Sequence, residues 1–427
     1  MKITIRFSAL LLLLSSGPLF AQTLLIKNAR IHTAAERGTI EQGQVLIRDG
    51  RIRAVDEQIR AEADVPVYDA GGRALTPGLF GGVAPIGLIE VSAEDTTVEH
   101  QISLATTTGE QAMMRPEFNP LLAYNPLATN VSVSRAEGIT YAMLAPSAGE
   151  GGSIIPGRGA LVSLNGGFNP ELERSEALFI ELGAGAQGLS GNSRAAQYML
   201  LQQAFRAARA SSSALENEFR ILTASGRETL ARFLADGRMV FDVNRAADIL
   251  QVLRLAEQYR FRAVINGGAE AWQVAAQLAE ANVSVILDPL RNLPANFDYI
   301  GARLDNAKLL HEAGVNVIFS HGGAHNARKV RQAAGIAVAY GLPWNEGLKA
   351  ITATPAEVFG QGDSLGTIEP GKQADLVLWS GDPLEVTSYA EAVWIGGQAM
   401  SMETRQTKLR DRYLPQNPEM PRQYFRP

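Results

Sequence analysis

Two of the five histidines in this 427-residue chain, His321 and His325, lie in one segment, VIFSHGGAHNAR. The segment is typical of the end of a buried strand followed by a glycine-rich loop. Imidazole can act as a general base or bind a divalent metal, so both histidines are candidate catalytic residues. Two imidazoles alone make an incomplete metal site. The alternative is therefore that both only form hydrogen bonds with the loop backbone.

Polar side chains also follow two other predicted strand ends. Asn244 and Arg245 come directly after VFDV, and Glu270 follows VING. An arginine can bind a ligand carboxylate in bidentate fashion, and a glutamate can act as a general acid or base. Asn244 and Arg245 are therefore candidate ligand-binding residues, and Glu270 is a candidate catalytic residue. The structural alternative is that Asp248 supports the start of the next helix and that Arg245 pairs with it.

These candidates lie in residues 77–361, where short apolar runs alternate with helical patterns. The runs include GITYAMLAP, EALFIELG, RMVFDV, RAVING, SVILDP and VNVIFS. Repeated strand–helix units favour a parallel sheet covered by helices. Over roughly 250 residues, the expected closed form is a TIM-type (β/α)8 barrel, which carries its functional residues at the carboxyl ends of the strands.

Segments typical of β-strands flank the predicted barrel on both sides, over residues 22–76 and 362–402. In the first segment, Arg48-Asp49-Gly50-Arg51 is typical of a two-residue hairpin turn. Because chain ends often meet in space, we expect the two segments to form one small composite β-sandwich. Residues 403–427 are rich in arginine, glutamine and proline and are predicted to be an irregular tail.

Residues 1–21 resemble a signal peptide, with a basic start at Lys2 and Arg6, a short apolar run and a break at Gly17-Pro18. The run is too short to span a bilayer, so we expect no membrane contact after cleavage. Export of a chain with no cysteine favours a periplasmic location. The net charge of −5 without long charged runs argues against nucleic-acid binding.

Several motifs resemble those of the amidohydrolase superfamily. They are VLIRDGRIRAVD followed by ALTPGLF near the N-terminus, and LKAITATPAEVFG followed by LGTIEPGKQADLVLWSGDPLE near the C-terminus. The segment HNAR before AGIAVAYGLPWNEGLKAIT is similar to the exported branch related to imidazolonepropionase. The resemblance implies a barrel with a composite β-sandwich. It also implies hydrolysis of carbon–nitrogen bonds other than peptide bonds, with zinc or another divalent metal.

The metal-ligand pattern of that superfamily is degenerate here. The resemblance implies two histidines, one residue apart, on the first barrel strand, but Val83 and Pro85 stand at those positions. Gly81 stands where the family often has an aspartate. Asn244 and Gly268 stand at or near the positions of later histidine ligands.

The middle of the predicted barrel also lacks the residue types for the remaining ligands. No histidine occurs between His100 and His311, and no lysine occurs between Lys27 and Lys308. This stretch can therefore supply neither a histidine ligand nor a carbamylated lysine. The aspartate expected after IFS is replaced by the loop that contains His321. Metal binding depends on ligand identity, so we expect neither a metal nor another cofactor.

Three functional hypotheses follow. The first is a non-catalytic subunit that binds a small ligand or pairs with an active amidohydrolase relative or with a second copy of itself. The second is an active amidohydrolase with an unusual site, in which His321 and His325 act around one weakly held metal, with Glu270 as a further candidate. The third is a purely structural subunit, which predicts a filled barrel mouth.

Overall fold

A computed structural model describes residues 23–102, 114–149, 151–210, 221–293 and 296–414. The predicted signal peptide and the end of the predicted tail lie outside these residues. Within them, no helix has both the length and the apolar character that a membrane crossing requires.

Short strands and helices follow one another along the described chain. The strands are β1 (Leu24–His32), β2 (Thr39–Arg48), β3 (Arg51–Asp56), β4 (Val67–Asp69), β5 (Ala74–Pro77), β6 (Leu79–Val83), β7 (Gln101–Ile102), β8 (Ile139–Leu144), β9 (Ser147–Ala148), β10 (Gly157–Ser163), β11 (Ala177–Glu181), β12 (Arg238–Val243), β13 (Arg262–Gly267), β14 (Ser284–Leu287), β15 (Val317–Phe319), β16 (Leu376–Trp379), β17 (Ala390–Ile395) and β18 (Gln398–Ala399). The α-helices are α1 (Thr129–Ala136), α2 (Arg194–Arg209), α3 (Ala224–Asp236), α4 (Ala246–Tyr259), α5 (Ala275–Glu280), α6 (Asn306–Glu312), α7 (Val330–Ala339), α8 (Trp344–Lys349), α9 (Ala353–Val358) and α10 (Arg405–Tyr413).

Eight strands form the barrel wall in the order β15-β14-β13-β12-β11-β10-β8-β6. The TIM-type α/β barrel predicted from the sequence is confirmed. The strands from β11 to β15 are parallel neighbours, and so are β6 and β8. Strand β10, however, runs antiparallel to both β8 and β11. The prediction of strictly repeated parallel units is therefore wrong at β10. An antiparallel strand can follow its neighbour without the crossover helix that a parallel strand needs.

A hydrogen bond from the backbone to a side chain joins the ends of the first and last barrel strands, β6 and β15. The Val83 N–H donates to Ser320 Oγ at 2.9 Å, directly after β15. Gly82 has a φ of +81°, and a Cβ on it would lie 2.6 Å from Ser320 Oγ and 3.1 Å from Ser320 Cα. A glycine is required here because the backbone is left-handed and the neighbour is close.

The N- and C-terminal segments contribute to one sheet, in the order β18-β17-β16-β5-β1-β2-β3, with β4 beside β1. Strand β5 joins the two segments by antiparallel pairing with β16. The predicted two-residue turn between β2 and β3 is confirmed, since Asp49 and Gly50 have φ values of +55° and +75°, as a type I′ turn requires.

Strand β16 connects the sheet to the barrel through alternation of its side chains. Leu376 and Leu378 pack in the core of the sheet, whereas Val377 and Trp379 pack in the main core of the barrel. The tail predicted to be irregular contains helix α10. Thr404 and Thr407 begin it with a reciprocal pair of side chain to backbone hydrogen bonds.

Candidate functional site

A cavity of about 180 Å³ opens at the carboxyl ends of strands β12 to β15. This end of an α/β barrel is where binding and catalytic residues are placed by the strand ends and the following loops. The polar residues that line the cavity include Asp242, Asn266, Asp288, Arg291, Tyr299, Arg303, Asn306 and Ser320. The barrel mouth is therefore open and mixed in charge.

Three polar side chains form a row across neighbouring barrel strands. Glu181 on β11 is in register with Asp242 on β12, and Asp242 is in register with Asn266 on β13. Side chains in register on parallel strands project to the same face. The Asn266 amide donates to Asp242 Oδ2 at 3.4 Å. We call these three residues the acidic row.

The acidic row holds carboxyl groups with raised pKa values. Burial among protein atoms raises the pKa of Asp242 from 3.8 to about 7, the nearby charge of Glu181 adds to this rise, and Arg291 opposes it. Asp242 still reaches water through the cavity. Burial also raises the pKa of Glu181, although its Oε1 accepts a hydrogen bond from the Ala148 N–H at 2.9 Å. Strongly shifted carboxyl groups in a cleft are typical of functional sites.

The loop after β14 places a positively charged residue, Arg291, at the cavity. Arg291 Nη1 donates to the Tyr299 hydroxyl at 3.0 Å, and its guanidinium lies 5.2 Å from the centre of the Tyr299 ring. Among the residues that the structure describes, neither Arg291 nor Asp242 has an ion-pair partner within 4.0 Å. Two unpaired charges of opposite sign therefore face one cavity.

The three candidate catalytic residues have different surroundings. His321 Nδ1 lies 2.8 Å from Asp288 Oδ2 at the ends of β15 and β14, whereas His325 is exposed. Glu270 Oε2 accepts a hydrogen bond at 3.1 Å from the N–H of Ala246, the first residue of α4. No hydrogen bond in the described part of the chain joins any two of them. Glu270 thus supports the start of a helix.

The candidate ligand-binding residues are also separated. Asn244 is buried, and its backbone carbonyl accepts a hydrogen bond from the Glu270 N–H at 2.9 Å. Arg245 is exposed. The alternative in which Arg245 pairs with Asp248 does not occur in this structure: the Asp248 carboxylate binds the Arg194 guanidinium and accepts a hydrogen bond from Tyr198 at 2.9 Å. Both partners lie on α2. The sequence around Asp248 could not predict them, because α2 is distant along the chain and meets Asp248 only in the folded protein.

The residues at the barrel mouth do not fit the family's metal. The side chain of Val83 has no atom that can bind a metal, and the Val83 N–H is already bonded to Ser320. Gly267 and Gly268, at the end of β13, have no donor side chains. Over the described ranges, no group of three or more histidine or acidic side chains is placed to hold a metal ion. The donor set therefore lacks the three or four converging ligands that zinc requires.

The sequence also resembles known amidohydrolases. A model of the amidohydrolase family matches residues 263–401. Over 102 residues, 24% of this chain, the sequence is 38% identical to amidohydrolase TasK of Hapsidospora irregularis, of which the chain spans about a tenth. An amidohydrolase from Thermotoga maritima MSB8 has a TM-score of 0.75 with this structure. Residues 263–401 thus match the amidohydrolase family, and the described chain shares the fold of amidohydrolase structures.

The structural matches extend over most of the chain. The Thermotoga maritima structure covers 88% of this chain and 99% of its own, at 24% identity. A zinc-bound adenosine deaminase from Xanthomonas campestris covers 91% of this chain and 98% of its own, at 17% identity and a TM-score of 0.50. At such identities the likeness shows the shared fold alone.

The acidic row and Arg291 were not among the residues predicted from the sequence. One signal was present, because Glu181 and Asp242 are charged residues inside otherwise apolar runs, EALFIE and RMVFDV. A charge inside a buried strand needs an explanation. Arg291 gave no such signal, because it lies in a loop whose direction depends on the tertiary structure.

Proposed function

We propose that this amidohydrolase-superfamily protein has lost the family's metal-dependent catalysis and binds a small polar ligand at the barrel mouth. The observation that carries the proposal is the cavity itself, in which Asp242 and Arg291 are available while Val83 and Pro85 occupy the positions of metal ligands. The open cavity disfavours a purely structural subunit, which predicts a filled mouth.

Two further parts of the proposal rest on the sequence. We propose export to the periplasm on the pattern of residues 1–21. We also propose that the protein can associate with an active relative or with a second copy of itself, as non-catalytic members of enzyme families can do when they keep the fold but not the site.

An active hydrolase with an unusual site is the second candidate. It is favoured by the contact of 2.8 Å between His321 and Asp288, because a carboxylate at Nδ1 fixes the imidazole orientation and supports a general base. In the described part of the chain, neither His325, which is exposed, nor Glu270, which bonds the start of α4, forms a hydrogen bond with His321.

Metal content and hydrolysis together test the proposal. The purified mature protein is dialysed against trace zinc and analysed by elemental mass spectrometry, and a panel of small amides is then assayed with and without zinc. We expect zinc far below one ion per chain, an unchanged melting temperature and no hydrolysis that depends on zinc or on His321. One zinc per chain, or hydrolysis lost in His321→Ala but kept in the matched loop variant His325→Ala, would contradict the proposal.

A further inference from the structure

We infer that the ligand of the barrel mouth is a small zwitterion, with its cationic nitrogen against Asp242 and its carboxylate against Arg291. This inference rests on the proposed ligand-binding function and names the chemical class of the ligand. It is carried by the arrangement of charges around the cavity.

Asp242 forms the cationic subsite, and Glu181 lies next to it in the acidic row. Glu181 and Asp242 are register neighbours on β11 and β12, so their carboxyl groups lie side by side at the carboxyl ends of the strands. The row continues into Asn266, whose amide oxygen adds a neutral acceptor, while its nitrogen donates to Asp242 at 3.4 Å. Adjacent carboxylates repel each other, and a ligand ammonium group at Asp242 would relieve this repulsion.

Arg291 forms the anionic subsite on the loop after β14. Its Nη1 is held by the Tyr299 hydroxyl at 3.0 Å, which orients the guanidinium and leaves its other N–H groups for a ligand. The planar guanidinium matches a carboxylate through two parallel hydrogen bonds. Arg303 also lines the cavity, but its guanidinium already pairs with the carboxylate of Asp305.

A buried amide supplies an independent observation. Asn306 lines the cavity with only 6% of its surface exposed, and its Nδ2 donates to the Gly268 carbonyl at 2.9 Å. Its Oδ1 has no hydrogen-bond partner among the described residues. Buried acceptors in native proteins are normally paired. The wall of the cavity therefore contains one acceptor whose partner is not supplied by the described part of the chain.

Ligands of a single charge fit less well. A simple anion would meet Arg291 but would lie near Asp242 and Asp288, whose carboxylates also line the cavity. A simple cation would leave Arg291 without a counter-charge. Because like charges in one site disfavour binding, a molecule that carries both signs is the better complement.

The test uses a series of ω-amino acids of increasing length: β-alanine, γ-aminobutyrate and 6-aminohexanoate. Butyrate and butylamine serve as probes that each keep one charge. Binding to the mature protein is measured by isothermal titration calorimetry at pH 8. We expect one member of the series to bind at least about tenfold more tightly than either singly charged probe, since each retained charge-assisted contact contributes.

Variants locate the two subsites. Arg291→Gln and Asp242→Asn are each expected to weaken binding of that amino acid about tenfold. Arg291→Gln should not weaken butylamine binding, and Asp242→Asn should not weaken butyrate binding, because each variant removes a charge of the same sign as the probe. Arg254→Gln, at an exposed position on α4, is the matched control and should change neither. Circular dichroism confirms that each variant is folded.

The outcomes separate this inference from the proposed function. If butyrate or butylamine binds as tightly as every amino acid, and does so through Arg291 or Asp242, the zwitterion inference is wrong and ligand binding at the mouth stands. If no probe binds at concentrations up to about 10 mM, the inference is also wrong. The measurements of metal content and hydrolysis then decide the proposed function separately.

Discussion

Asp242 lines the cavity at the barrel mouth, and its carboxyl group has a strongly raised pKa. Its carboxyl group lies on a barrel strand next to Glu181, and burial raises its pKa from 3.8 to about 7. Between these two pH values the folded protein keeps a proton that the unfolded chain has released. The free energy of unfolding therefore falls as the pH rises through this window, and the ionised carboxylate destabilises the fold above it.

Asp242→Asn should accordingly stabilise the protein at pH 8 and have little effect at pH 4. We expect a gain of roughly 1 kcal/mol at pH 8, less than the full pKa shift implies, because water in the cavity screens the charge. Urea unfolding of both proteins at the two pH values measures the difference. Equal effects at pH 4 and pH 8 would show that the amide acts through packing and not through charge.

At the scale of elements, the closing contact between β6 and β15 sets the shape of the barrel mouth. Gly82 brings the β6 backbone close to Ser320, and the Val83 N–H donates to Ser320 Oγ at 2.9 Å. In the same stretch, Val83 stands where the resemblance to amidohydrolases implies a histidine ligand, and its N–H instead takes part in the closing contact.

Gly82→Ala should destabilise the protein by about 2–4 kcal/mol, because it combines a left-handed backbone with a clash against Ser320. Gly322→Ala is the matched control, since no atom lies within 4 Å of a Cβ placed there, and its effect should stay within about 0.5 kcal/mol. Thermal and urea unfolding compare the two. A similar loss of stability in both variants would contradict this account of the closure.

For the whole molecule, β16 makes the sheet and the barrel depend on each other. Its alternate residues enter two different cores: Leu378 packs in the sheet, and Val377 packs in the barrel. Trp379 adds a buried hydrogen bond of 2.9 Å from its Nε1 to Thr76 Oγ1 on β5. Because β16 belongs to both cores, we expect that unfolding of one core destabilises the other.

Leu378→Ala should destabilise the whole protein by about 2–5 kcal/mol, and Val377→Ala, which removes fewer buried carbons, by about 1–3 kcal/mol, each in one cooperative transition. Gln398→Ala, at an exposed position on β18, is the control and should have no measurable effect. Circular dichroism and tryptophan fluorescence follow unfolding of the same samples. Two separate transitions, with Leu378→Ala moving only one of them, would show that the cores unfold independently.

Local patterns in the sequence determined the barrel strands and helices, the β-segments at both ends, the Asp49-Gly50 turn and the loss of the histidine pair at Val83 and Pro85. Such features depend on neighbouring residues, on periodicity or on residue identity alone. Only the tertiary structure decided that β10 runs antiparallel and that Glu270 supports α4. It also decided that Glu181 and Asp242 lie together opposite Arg291. These three residues come from distant parts of the chain, and strand register and loop direction, which arise only on folding, bring them together.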